Sequence, residues 1–256
     1  MRLQSEHPVT VNDKIIGGDV PLVCLSLVAA DIQELLDQAK ELTLSAPDLL
    51  EWRIDGYDDV ENIDSSLRAL RDLHGAIESI PLILTCRIHS EGGMQKISPQ
   101  ARLDLITASM ATGFVDIIDI ELCNDAQFIK GVIDSARQHG VKVILSFHDF
   151  EKTPGEELIL DRLVCAQKLG ADIAKVAVMP QNYNDVLVLI GATLKARTQM
   201  LKIPIVTMAM GEEGLVSRLA GGVFGSDITF AMGKSSSAPG QIPIEELRKA
   251  LAVLYR

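Results

Sequence analysis

From residue 22 to residue 254 short apolar runs alternate with longer amphipathic stretches, and no other feature limits the possible folds so sharply. The runs occupy 22–28, 49–54, 82–87, 115–122, 141–147, 173–178, 205–210 and 228–232. Each is short and Val/Ile-rich or nearly so, as strands of a parallel sheet covered on both faces must be. Between them, apolar residues recur at helical spacing over 32–44, 63–77, 100–111, 126–138, 156–168, 184–200, 214–220 and 244–254. Ser98-Pro99 sets an N-cap before a proline at the first helical position, and Gly140 and Gly170 follow their helices where a left-handed cap belongs. Eight βα units with short connections predict an α/β chain folded as a (β/α)8 TIM barrel. A doubly wound open sheet is the alternative, but no G-x-G-x-x-G follows the first strand. The segment 9–16, with Asn12-Asp13 at its centre, reads as a hairpin closing the bottom of the barrel. No linker-like stretch divides the chain, so residues 1–256 are expected to form a single catalytic domain.

Charge narrows the partners. The net charge of -11 comes from 35 acidic and 24 basic residues without a basic run, which excludes nucleic acid as an expected partner. Cys24, Cys86, Cys123 and Cys165 lack metal-type spacing and lie in or at the end of apolar runs. They read as buried, reduced thiols, and the expected setting is cytoplasmic. Residues 1–10 are polar and carry no leader-like apolar core, and no run is long enough to span a membrane.

In a βα barrel the reactive side chains sit at the C-terminal strand ends. There the sequence places Glu51-Trp52-Arg53-Ile54-Asp55, Arg87 with Glu91-Gly92-Gly93 beyond it, His148-Asp149, Lys175, Arg218, and a Ser235-to-Gln241 loop. Lys175 stands in Ile173-Ala174-Lys175-Val176-Ala177-Val178, an ammonium inside a strand buried on both faces. Alternation puts it on the face of Ile173 and Ala177, and desolvation with nearby arginines would favour the nucleophilic amine. A structural lysine in an ion pair is the competing reading. His148 is the one histidine that ends a predicted strand, where an imidazole can act as base and then as acid. Glu51 and Arg53 point together if Trp52 faces outward, and with Arg87 and Arg218 they predict an arginine-rich mouth for an anionic, hydroxylated small substrate. The glycine pairs Gly92-Gly93 and Gly221-Gly222 read as turns rather than as a phosphate cradle.

Taken together, Glu51 to Asp55, Thr85-Cys86-Arg87 with Glu91-Gly92-Gly93, Ser146 to Asp149, Lys175-Val176-Ala177, Met208 to Gly211, Arg218 and Ser237-Ala238-Pro239-Gly240-Gln241 resemble the class I 3-dehydroquinate dehydratase family in order and spacing. The resemblance implies imine formation between Lys175 and the ketone of 3-dehydroquinate. It implies proton removal and return by His148, and release of 3-dehydroshikimate, a step of the shikimate pathway. Glu91 is then expected to orient His148, Arg218 to hold the substrate carboxylate, and Glu51, Arg53 and Arg87 to read hydroxyls and the carbonyl region. Ser237 and Gln241 would belong to a lid. The family implies no metal or organic cofactor, and a homodimer. Another Schiff-base enzyme, a class I aldolase, would be distinguished by cleavage of a sugar phosphate. A metabolite-binding regulator would bind without turnover.

Overall fold

The computed structural model describes residues 2–233 and 238–255. A two-stranded antiparallel hairpin comes first, β1 (Val9–Val11) and β2 (Lys14–Ile16), turning through Asn12 at φ 51. Then follow β3 (Leu22–Leu27), α1 (Ile32–Leu44), β4 (Leu49–Arg53), α2 (Ile63–Ile77), β5 (Leu82–Thr85), α3 (Pro99–Ala111), β6 (Ile117–Glu121) and α4 (Ala126–His139). The chain continues with β7 (Lys142–Asp149), α5 (Glu156–Leu169), β8 (Ile173–Val178), α6 (Tyr183–Lys195), β9 (Ile205–Ala209), α7 (Leu215–Ala220), β10 (Ile228–Ala231) and α8 (Ile244–Leu254). Strands β3 to β10 form one parallel sheet in the order β10-β3-β4-β5-β6-β7-β8-β9. Among the described residues this is the (β/α)8 barrel that the alternation predicts.

Helix ends follow the sequence closely. Ser98 caps α3 by accepting from the Ala101 N–H, and Gly140 and Gly170 end α4 and α5 in the left-handed conformation. The helix expected over 184–200 differs, because α6 stops at Lys195 and passes into a wider π turn, Ala196–Met200. In that turn Arg197 is buried and pairs with Asp227. The same carboxylate pairs with Arg2 and accepts the Ile205 N–H at 2.7 Å, while the Asp227 N–H reaches the Ile205 carbonyl at 2.7 Å. These contacts and the Ile205–Ser226 bridge bring β9 to β10 and close the ring.

Two apolar layers result from the strand alternation. Side chains such as Trp52, Leu84, Leu145 and Val176 pack outward against the helices, and their neighbours face inward. The inward set begins apolar, with Leu22, Leu49, Ile83, Ile117, Ile144 and Ile173, and Val9, Val11 and Ile16 of the hairpin join it from below. Two residues further along β4 to β8 it becomes polar, where Glu51, Thr85, Asp119, Ser146 and Lys175 are all buried, while β3, β9 and β10 continue with Cys24, Met208 and Phe230. A dry floor under a charged storey is what positions the site. No helix among the described residues is long and apolar enough to cross a membrane.

Candidate active site

One cleft at the C-terminal end of the strands is lined by Glu51, Arg53, Arg87, Glu91, His148, Lys175, Arg218 and Gln241. The expected site residues within the described part of the chain thus converge on a single cleft. Ser237 lies outside the described residues.

Lys175 occupies the middle of β8, opposite Ser146 of β7. Its Nζ lies 2.7 Å from Asp119 Oδ2 and 4.7 Å from the centre of the Phe230 ring. The sequence reading looked to nearby arginines and kept an ion pair as the alternative; the nearest charge is a fully buried carboxylate. Asp119 also accepts from Ser146 Oγ at 2.6 Å and from Arg87 Nη1 at 3.0 Å. Burial alone would raise this carboxyl, but Arg87 and Lys175 override it and hold it well below the usual carboxylate range.

His148 stands near the end of β7, its side chain almost enclosed. Its backbone N–H and its ring Nδ1 approach the same oxygen of Glu91, at 2.8 Å and 3.0 Å. With Nδ1 as the donor, Nε2 carries the lone pair. Burial, and after it the Arg87 and Lys175 charges, push the imidazole well below its ordinary value, so the neutral base prevails near neutrality. Glu91 is delivered by the 3-10 turn His89–Glu91. Gly92 follows at φ 86, and a Cβ on Gly93 would fall 2.2 Å from the Arg87 carbonyl, so both glycines serve the turn. Gly222 packs against Tyr255 and Pro21, and neither it nor Gly221 lines the cleft.

Arg53, Arg87 and Arg218 all line the cleft as expected, but two of the three are already paired with carboxylates. Arg87 is buried between two carboxylates, 3.0 Å from Asp119 and 2.8 Å from Glu121. Arg53 pairs at 2.8 Å with Asp55 rather than with Glu51, whose oxygens accept from Ser26 Oγ and Thr85 Oγ1 at 2.7 and 2.8 Å. Arg218, held by α7, faces no carboxylate among the described residues; it donates to the carbonyls of Phe230 at 3.2 Å and Pro239 at 3.0 Å. Burial pulls it down to about 10, still cationic at neutral pH. An anion entering the cleft would meet its charge uncompensated.

Cys24 and Cys86 are buried as expected, whereas Cys165 is only half-buried and Cys123 is exposed at the loop after β6, close to Glu91. Partial burial of the sulfur and the Glu91 carboxylate push that thiol up to about 12. The sequence reading gave no role to Asp119 and Glu121. Two charges at alternate positions of an otherwise apolar strand were the available signal.

Comparison with known proteins agrees with this arrangement. Residues 23–256 match the family model described as type I 3-dehydroquinase. A 3-dehydroquinate dehydratase of Bacillus licheniformis is 43% identical over 248 residues, covering 97% of this chain and 98% of that protein. The type I 3-dehydroquinate dehydratase of Clostridium difficile, in a crystal structure with covalently modified comenic acid, is 42% identical. It superimposes with a TM-score of 0.94 over 97% of this chain and 98% of that one. The 3-dehydroquinate dehydratase structure from Geobacillus kaustophilus gives 0.96 at 40% identity, over 99% and 98% of the two chains. With a buried strand lysine and an enclosed histidine at the mouth of such a barrel, the chain belongs to the type I 3-dehydroquinase family.

Proposed function

We propose that this type I 3-dehydroquinate dehydratase, a hydro-lyase, works through an imine on Lys175 with His148 as the proton carrier. The observation that carries the reading is the placement of Lys175, His148 and Arg218 around one cleft. Lys175 Nζ bonds to the ketone carbon of 3-dehydroquinate, and the ketone oxygen departs as water. The resulting iminium draws electrons and acidifies the neighbouring methylene. His148 Nε2 removes that proton, an enamine forms, and its electrons expel the tertiary hydroxyl, which takes the proton back from His148 as it leaves. A second water hydrolyses the iminium, freeing 3-dehydroshikimate and Lys175.

Glu91 holds the imidazole in the required tautomer and balances the imidazolium that exists between the two proton transfers. Arg218 takes the substrate carboxylate, while Glu51, Arg53, Arg87 and Gln241 face the remaining polar groups from the cleft wall. Ser237 and Gln241 belong to a closing loop in this reading; at its described end, the Pro239 carbonyl accepts from the Gly211 N–H at 3.3 Å. Incubation with 3-dehydroquinate should generate the ultraviolet absorbance of a conjugated enone. Absence of that product, or carbon–carbon cleavage of a sugar phosphate, would contradict the assignment.

The reading extends to one catalytic domain over residues 1–256 acting as a cytoplasmic homodimer. The four cysteines are free thiols, as a reducing compartment requires. Helices α5 and α6 pack side by side, and their outer faces expose Leu158, Leu169, Tyr183, Leu187 and Leu194. Such a stripe is better covered by a second copy than by water. A sedimentation measurement giving only monomer at micromolar protein would remove the dimer from the reading.

A further inference from the structure

The proton carrier, its orienting carboxylate and the anion receptor leave one buried group beside the nucleophile without a task. Asp119 is fully buried and does not line the cleft, so bound substrate meets it only through Lys175. Its two oxygens are divided: Oδ2 takes the Lys175 Nζ contact at 2.7 Å, and Oδ1 takes Ser146 Oγ at 2.6 Å and Arg87 Nη1 at 3.0 Å. Arg87 is held in turn by Glu121, and Glu121 by Arg102 at 2.5 Å, so the carboxylate stands on a braced chain of charges reaching α3. Nothing in this chain can swing away without leaving a buried charge unpaired.

Charge counting gives Asp119 its role. A ketone and a lysine ammonium condense to an iminium and one water, and the single positive charge is conserved on nitrogen. Two of the three ammonium hydrogens leave with the ketone oxygen, and one remains. The contact at 2.7 Å directs one N–H of Lys175 at Asp119, on the side of Nζ away from the open cleft. We infer that Asp119 is a further catalytic residue, the carboxylate counter-ion that keeps the Lys175 imine protonated and sets the direction of its N–H. A neutral imine is a poor electron sink, so proton abstraction by His148 depends on this pairing. Because Arg87 and Lys175 hold Asp119 ionised against the effect of burial, it does not compete for the iminium proton. The Phe230 ring, 4.7 Å from Nζ, favours the same cation from another side.

This inference rests on imine formation at Lys175, and two reducing agents separate the claims. Borohydride reduces imines whether or not they are protonated, whereas cyanoborohydride reduces the protonated form. The full-length protein is mixed with 3-dehydroquinate, and the Lys175 adduct formed with each reagent is measured by mass between about pH 6 and pH 9. In the unaltered enzyme the ratio of cyanoborohydride to borohydride adduct should stay flat across that range. Asp119→Asn should still give borohydride adduct, lose about a hundredfold in kcat, and show a ratio that falls as pH rises. Glu121→Gln, which loosens Arg87 without touching Lys175, should keep the flat ratio whatever its rate. A flat ratio in Asp119→Asn, or an equal decline in Glu121→Gln, would overturn the counter-ion role. If Asp119→Asn does not fold, the unaltered enzyme decides alone, since a ratio already falling below about pH 8 overturns the inference. Absence of adduct with both reagents in the unaltered enzyme would instead remove the imine itself.

Discussion

His148 offers both its backbone N–H and its ring Nδ1 to one oxygen of Glu91, at 2.8 Å and 3.0 Å. That double contact holds the ring against Glu91 and, with Nδ1 as the donor, leaves the lone pair on Nε2. It also makes Glu91 a positioning group whose loss should be felt through the histidine. Glu91→Gln should lower kcat about ten- to a hundredfold, the worth of one charge-assisted hydrogen bond, and leave KM nearly unchanged. A variant with unaltered kcat and an unaltered acid limb in its pH profile would remove Glu91 from this role.

The acid limb itself has a predictable position. Burial and the neighbouring cations favour neutral His148, so its folded value lies below the ordinary 6.5. Activity should therefore persist as pH falls through 6.5 and disappear only as the lower folded value is crossed. The same shift bears on stability with a definite sign. Below 6.5 the unfolded chain takes up a proton that the folded chain refuses, so folding weakens as pH falls through that region. A kcat/KM profile whose acid limb lies above 6.5 would contradict the burial-driven shift.

Removing the proton carrier should separate imine formation from turnover. His148→Ala should still give a reducible adduct on Lys175 while losing about 10²–10⁴ in kcat. Near-normal kcat in this variant would assign the acid–base step to another group.

Arg218 carries the one buried guanidinium of the cleft that faces no carboxylate among the described residues. Arg218→Ala should raise KM for 3-dehydroquinate about ten- to a hundredfold. The effect should shrink for a substrate analogue lacking the carboxylate. An unchanged KM would place the carboxylate elsewhere.

At the opposite end of the barrel, Asp227 is buried between Arg2 and Arg197 where β9 meets β10. Arg197→Ala should destabilise the fold by about 3 kcal/mol, the lower end for breaking a buried pair, because Arg2 remains. The urea midpoint should fall while KM stays constant; a fall in kcat without loss of stability would mean the seam is coupled to the site.

Much of this was legible in the sequence because parallel-barrel strands must be apolar on both faces, which makes a lone charge such as Lys175 conspicuous. Glu51 and Arg53 were placed correctly by alternation around Trp52. Their partners were not. Strand β4 ends at Arg53 and a 3-10 turn, Ile54–Gly56, folds Asp55 back under the Arg87 and Met94 N–H groups, where it captures Arg53. Alternation carries no information about a turn that begins where the strand stops. Asp119 and Glu121 stand at alternate positions of an equally apolar run and are marked by the same argument. Their pairing follows only from the neighbouring strands, which bring Arg87 and Lys175 against them. Cys123 ended an apolar run and yet is exposed, since the strand stops at Glu121 and the chain turns outward.

Covalent capture on Lys175 bears most directly on the chemistry. The protein would be mixed with 3-dehydroquinate, reduced with borohydride, digested and mapped by mass. An adduct of the substrate or product skeleton on Lys175, absent from Lys175→Ala, is the result that imine catalysis requires. Steady formation of the enone product with no adduct on Lys175 would contradict it.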